Sequence, residues 1–148
     1  NDAYLAKFDA NGNRLWATYY GGANTESGAA SVATDASGNV YLAGITESIS
    51  GIASGGFQNA YGGDLAAYGG DAFLVKFNGV GGRLWATYYG GSGNDYSFVN
   101  HSVAADASGN VYLTGNTASS AGIADGGLNS SGKIEAKLCA SGSDGSTR

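Results

Sequence analysis

The nine residues Arg14-Leu15-Trp16-Ala17-Thr18-Tyr19-Tyr20-Gly21-Gly22 return unchanged as Arg83 to Gly91. Asp35-Ala36-Ser37-Gly38-Asn39-Val40-Tyr41-Leu42 returns unchanged as Asp106 to Leu113, and Gly51-Ile52-Ala53 as Gly122-Ile123-Ala124. Asp2-Ala3-Tyr4-Leu5-Ala6-Lys7-Phe8 comes back as Asp71-Ala72-Phe73-Leu74-Val75-Lys76-Phe77. The spacing is 69 residues early and 71 later, which places a two-residue insertion near Phe98–His101. Self-similarity at a fixed period restricts a chain to folds that stack one supersecondary unit on the next.

The unit reads as strands. Ser31–Thr34 is small and β-branched, Val40–Thr46 and Ala72–Phe77 are apolar, and Arg83–Tyr89 is aromatic. Asp35-Ala36-Ser37-Gly38-Asn39 and Asn78-Gly79-Val80-Gly81-Gly82 carry the residues that tight hairpins favour. A Gly/Ser-rich connection joins the second strand to Asp71. The composition, with 27 Gly and no Pro, fits this division, Gly serving as turn punctuation between short strands. No stretch sustains a helical period.

Alternation along the strands predicts how the units meet. Tyr4, Ala6 and Phe8 share one face and Leu5 and the Lys7 stem the other; Leu15, Ala17 and Tyr19 oppose Trp16, Thr18 and Tyr20. Both faces are largely apolar, so each sheet should be covered on both sides. Stacked four-stranded antiparallel blades of a β-propeller meet that requirement, with the first strand near a crowded axis and the aromatic fourth at the periphery. The expected organisation is all-β. Residues 1–30 supply the last two strands of one blade and an inter-blade loop, and 31–91 a complete blade. Residues 92–128 supply a further loop and two strands, and 129–148 form a divergent, unstructured tail. The chain thus amounts to about two blade-equivalents of a larger propeller, and further blades or self-association are expected to complete the ring. The absence of Met and the mid-repeat start at Asn1 suit a processed segment or part of a longer reading frame.

These residues resemble the bacterial SBBP, or seven-bladed β-propeller, repeat family. The DAFLVKF-type strand, the RLWATYYGG strand, the DASGNVYLAG hairpin and the Gly55-Gly56-Phe57-Gln58-Asn59-Ala60-Tyr61-Gly62-Gly63 linker carry the likeness over roughly residues 1 to 128. The resemblance implies a secreted or cell-surface bacterial protein whose repeats scaffold or bind, and it brings no catalytic residues. The tail departs from the pattern after Gly126-Gly127-Leu128. Lys133–Cys139 alternates and reads as a degenerate third strand, while a frame error or chimeric join accounts for it equally well.

Charge and motifs narrow the function classes. With net charge −5 and seven scattered basic residues, the chain lacks the basic stripe that phosphate backbones require, so nucleic acid is not an expected partner. No apolar run reaches the length of a membrane span. Cys139 and His101 are each the only residue of their kind, which leaves no Cys-based metal site and no partners for a catalytic triad. Asp9-Ala10-Asn11-Gly12-Asn13 alternates oxygen side chains as a calcium loop would. Arg14 stands where such a loop needs Gly, and the internal copy has lost the ligands, so a hairpin turn is the better reading. Asp35 and Asp106 are expected to cap turn amides two or three residues on. Trp16, Trp85 and the paired tyrosines could stack on sugars, but recurrence at equivalent strand positions favours packing.

The loops between blades remain. Asn24 and Glu26 follow one Gly-Gly, and Asn94 and Asp95 the other; these four are the expected ligand contacts, because a rigid scaffold presents such loops. No metal, cofactor or catalytic residue is expected. The leading expectation is a non-catalytic scaffold or binding module for a protein or glycan. The alternative is a propeller enzyme acting on extracellular polysaccharide through loop carboxylates such as Glu26, Asp64 and Asp95.

Overall fold

The computed structural model describes residues 1–63, 70–95 and 102–124. Asp64, His101, the insertion near Phe98–His101 and the tail with Lys133–Cys139 lie outside these. Eight strands follow in order: β1 (Ala3–Phe8), β2 (Arg14–Tyr20), β3 (Glu26–Thr34), β4 (Val40–Thr46), β5 (Asp71–Phe77), β6 (Arg83–Tyr89), β7 (Ser102–Ala105) and β8 (Val111–Thr114). No helix occurs among the described residues. All pairings are antiparallel: β3-β4-β5-β6 form a four-stranded sheet, and β1-β2 and β7-β8 each form a two-stranded one.

The central sheet is apolar on both faces, as its alternation predicts. Val40, Leu42, Phe73, Val75, Phe77 and Tyr88 form one face, which packs against Leu5 of β1 and Tyr20 of β2. The Tyr20 ring lies 5.2 Å from that of Phe73 and meets Phe77 edge-on at 6.0 Å, an arrangement that aromatic quadrupoles favour. Tyr41, Ala43 and Leu74 form the other face and pack against Val103 of β7, with Val111 and Leu113 of β8 alongside. Every residue of β4 is buried. The sheet is therefore covered on both sides by strands of the neighbouring repeats. Gly44 permits the packing within it, since a Cβ there would meet the Phe73 ring at 2.8 Å.

Four hairpins close the same end of the three sheets with one geometry. In each, the N–H of the first residue donates to the carbonyl four residues on: Asp9 to Asn13 (2.9 Å), Asp35 to Asn39 (3.1 Å), Asn78 to Gly82 (2.8 Å) and Asp106 to Asn110 (3.0 Å). Gly12, Gly38, Gly81 and Gly109 occupy the left-handed region, with φ between 77° and 88°, as a three-residue loop with a bulge requires. The first side chain closes the turn from within. Asp35 Oδ1 accepts from the amides of Ser37 and Asn39, two and four residues on rather than two or three, and Oδ2 from the Asn39 side chain.

Two features depart from the sequence reading. The strand expected at Ser31–Thr34 begins at Glu26, with an irregular register between Ser27 and Ser31. Pairing of Glu26 and Ser27 with Thr46 and Ile45 extends it through small residues that carry no apolar alternation. Residues 54–58 of the Gly/Ser-rich connection, to which the sequence assigned no strand, run along the outer edge of β6. Ser54 and Ala86 exchange N–H to carbonyl bonds of 2.9 Å in both directions, and Tyr88 N–H donates to the Gln58 carbonyl at 3.0 Å. That cover protects the edge from pairing with another chain.

Candidate functional site

At the end of the sheets opposite the hairpins, each repeat ends in Gly-Gly and the next begins with an acidic residue. The first glycines are needed for close approach: a Cβ on Gly90 would sit 2.3 Å from the Asp71 carboxylate. The second glycines lie against backbone, a Cβ on Gly22 reaching 2.3 Å from the Ser50 carbonyl and one on Gly91 reaching 2.1 Å from that of Ala121. Only glycine lets the two chain segments come this near.

The four residues expected to contact a ligand fall in these loops, and two of them point inward. Glu26 is buried at the start of β3, where one carboxylate oxygen accepts from the Gly22 amide at 3.1 Å and the other from the Thr46 hydroxyl at 2.8 Å. Asp95 is buried likewise. It accepts from the Gly91 amide at 2.5 Å, from the Ser119 hydroxyl at 2.8 Å and from the Thr117 hydroxyl. The Thr46 and Thr117 hydroxyls in turn accept from the amides of Ser48 (3.0 Å) and Ser119 (2.9 Å). Asn24 is exposed; its amide donates to the Ser48 hydroxyl and its side chain to the Glu47 carbonyl. Asn94 is half-buried and its carbonyl accepts from the Ala118 amide at 2.7 Å. Glu26 and Asp95 sit in separate loops, each closing its own. Chemically the two clamps are matched acceptor sets that fix loop shape.

Sequence reasoning passed over the other half of each clamp. Thr46-Glu47-Ser48 and Thr117-Ala118-Ser119 keep Thr and Ser two residues apart in both copies, a signal that small polar side chains share a hydrogen-bonding task. Three tyrosines complete the frame. Tyr20 donates to the Ile52 carbonyl at 2.6 Å, Tyr89 donates to that of Ile123, and Tyr88 donates to the Ser48 carbonyl at 2.8 Å. Burial pushes the Tyr20 phenol well above its ordinary range.

Asp71, at the start of β5, was also missed. Its carboxylate is wholly buried, with one oxygen accepting from the Gly62 amide at 2.7 Å and the other without a hydrogen-bond partner. Burial raises its pKa to about 6, the Gly62 amide acts the other way, and nearby Asp95 adds to the rise. Tyr61, whose ring meets that of Tyr88 edge-on at 5.9 Å, is pushed up to about 12, again by burial first.

At the hairpin end, the would-be calcium loop is a turn. Asp9 accepts from the amides of Asn11 (2.9 Å) and Asn13 (2.8 Å) and from the Asn13 side chain (2.9 Å). The side chains of Asn13, Asn39 and Asn110 are the leading cause holding Asp9, Asp35 and Asp106 below the usual carboxylate range. Among the described residues, no group of three or more His, Cys, Asp or Glu is placed to hold a metal ion. Trp16 donates to the Gly79 carbonyl at 3.1 Å and packs on the core, and Trp85 lies 6.2 Å from Tyr41. Both indoles are engaged in contacts within or between repeats. No described helix is long and apolar enough to cross a membrane.

No curated protein matches the chain. The family model for the SBBP beta-propeller repeat matches residues 15–53 and again 84–120, together just over half of the chain. Each match runs from the RLWATYY strand through the Gly-Gly loop, the clamp carboxylate and the DASGNVYL hairpin to the Thr-x-Ser turn, so the repeated geometry and the family pattern coincide. The chain belongs to the SBBP beta-propeller repeat family.

Proposed function

We propose that the chain is a non-catalytic propeller segment of a secreted or cell-surface bacterial protein, serving as a scaffold that presents inter-blade loops to a protein or glycan. In this reading β3-β4-β5-β6 is one blade, and β1-β2 and β7-β8 are halves of its neighbours. The observation that carries the reading is the recurrence of the clamp. Both copies use their loop carboxylate for the same structural bonds, Glu26 on Gly22 and Thr46, Asp95 on Gly91 and Thr117. A catalytic centre needs an asymmetric constellation, and here the acidic groups are matched between repeats. Asn24 is then the ligand contact of the first loop and Asn94 that of the second, held in place by Glu26 and Asp95. A rigid loop on a rigid sheet favours binding because little conformational freedom is lost on contact.

The test is a glycan array read beside a polysaccharide hydrolysis screen, both on the whole chain. The expected result is binding without turnover, reduced by Asn24→Ala while the folded state is unchanged. Release of reducing ends from any glycan would overturn the non-catalytic reading. A signal that Asn24→Ala and Asn94→Ala both leave unaltered would remove these loops as the contact surface.

A further inference from the structure

Equivalent positions in the repeat differ sharply in exposure. Tyr88 is 1% exposed and its counterpart Tyr19 80%; Phe73 is 1% and Tyr4 74%; Tyr41 is 0% and Tyr112 57%. The buried member of each pair lies in the four-stranded sheet and the exposed one in a two-stranded sheet. Among the described residues β1-β2 has no strand beside β1, and β7-β8 none beside β8.

The two open edges are the two halves of one pairing that the chain already makes. β4 pairs with β5 through Val40 with Phe77, Tyr41 with Lys76, Leu42 with Val75 and Ala43 with Leu74. Shifted by the repeat, β8 stands for β4 and β1 for β5. The pairs become Val111 with Phe8, Tyr112 with Lys7, Leu113 with Ala6 and Thr114 with Leu5. The charges agree. Lys76 lies 3.4 Å from Asp35 and 5.0 Å above the Tyr41 ring, and the Tyr41 hydroxyl donates to Asp35. Tyr112 already donates to Asp106 at 3.1 Å in the same manner, whereas Lys7 reaches the Gly79 carbonyl. Asp106 and Tyr112 thus form a cation site whose lysine counterpart is carried at the other end of the chain.

The surfaces agree as well. A groove beside β8 is floored by Leu74, Trp85, Thr87 and Tyr89 of the central sheet. A second groove, beside β1, is lined by Tyr4, Ala6, Phe8, Val32 and Leu42. The first has the position of a missing β1-β2 hairpin and the second that of a missing β7-β8 hairpin.

We infer that these grooves are the two sides of a head-to-tail interface with a second copy of this chain. The β1-β2 hairpin of one copy pairs with β8 of the other and completes a four-stranded sheet. The proposal rests on the propeller-segment reading and adds the partner, the register and the ion pair to it. Because the two surfaces differ, the contact is heterologous and propagates to a ring or an open filament.

The experiment is sedimentation of the whole chain across concentration, with the charge variants Lys7→Glu, Asp106→Lys and the two combined. The expected result is concentration-dependent association, roughly tenfold weaker in either single variant and restored in the double one. Equal weakening in all three overturns the register. A concentration-independent monomer overturns the interface, whether or not residues 125–148 then fill the groove. In a Cys139→Ser background, Ala6→Cys and Leu113→Cys proteins should form a disulfide-linked dimer only when mixed. Cross-linking of either protein alone would show an isologous contact and overturn the head-to-tail one. A folded monomer would sink self-assembly alone, whereas glycan turnover would sink the reading beneath it.

Discussion

Asp71 begins β5 with its carboxylate fully out of water and one oxygen lacking a hydrogen-bond donor. A buried carboxyl that prefers to be neutral binds its proton more tightly folded than unfolded. The resulting stability is fully present below the ordinary value of 3.8 and is lost as pH rises through about 6. Asp71→Asn keeps an acceptor for the Gly62 amide and removes the charge. It should therefore raise stability by about 1–3 kcal/mol above pH 6. Urea unfolding at several pH values checks this: the variant should lose the decline between pH 4 and 6 that Asp71 contributes, and an unchanged slope would refute the assignment. The turn carboxylates Asp9, Asp35 and Asp106 act in the opposite sense, their depressed pKa values favouring the folded state until acid protonates them.

At the scale of the element, the cover of the β6 edge rests on main-chain bonds at Ser54 and Gln58, joined by the Thr87 hydroxyl, which accepts from the Gln58 amide at 2.7 Å. Ser54 and Ala86 hold each other through two N–H to carbonyl bonds, so a residue without an N–H at position 54 should open the edge. Ser54→Pro is expected to cost about 1–2 kcal/mol and to shorten the lag of thioflavin-detected aggregation. A variant as soluble as the parent would show that the cover is dispensable.

This element also marks where sequence stops being informative. Strands β4, β5 and β6 were legible because Val40–Thr46, Ala72–Phe77 and Arg83–Tyr89 declare themselves through apolar and aromatic side chains. Ser54 to Gln58 pair through main-chain atoms, which side-chain patterning does not record. The candidate loops were legible in place but not in orientation. Glu26 and Asp95 read as ligand contacts, since nothing in Gly-Gly-rich flanks announces the Thr and Ser hydroxyls that face them some twenty residues later.

For the whole molecule, identical residues in equivalent places carry different weight. Tyr88 is enclosed between repeats and donates to the Ser48 carbonyl, while Tyr19 faces outward from β2. Tyr88→Ser should cost about 3–5 kcal/mol, and Tyr19→Ser should change stability by no more than about 0.5 kcal/mol. Urea denaturation at low protein concentration decides the matter; equal losses would mean that the β1-β2 outer face is already covered. The same comparison bears on association, because Tyr19→Ser removes apolar surface from the β1-β2 face that a second copy would cover.

The Asx-closed hairpins and the acid clamps have a genetic corollary. Each turn is fastened by residues of its own repeat, and each Gly-Gly loop by an acid and hydroxyls that recur with the unit. A repeat of this kind can be gained or lost whole by recombination between near-identical coding stretches. The copy that arrives brings an acid for the Gly-Gly before it and a Gly-Gly for the acid after it, so every clamp along the array is kept.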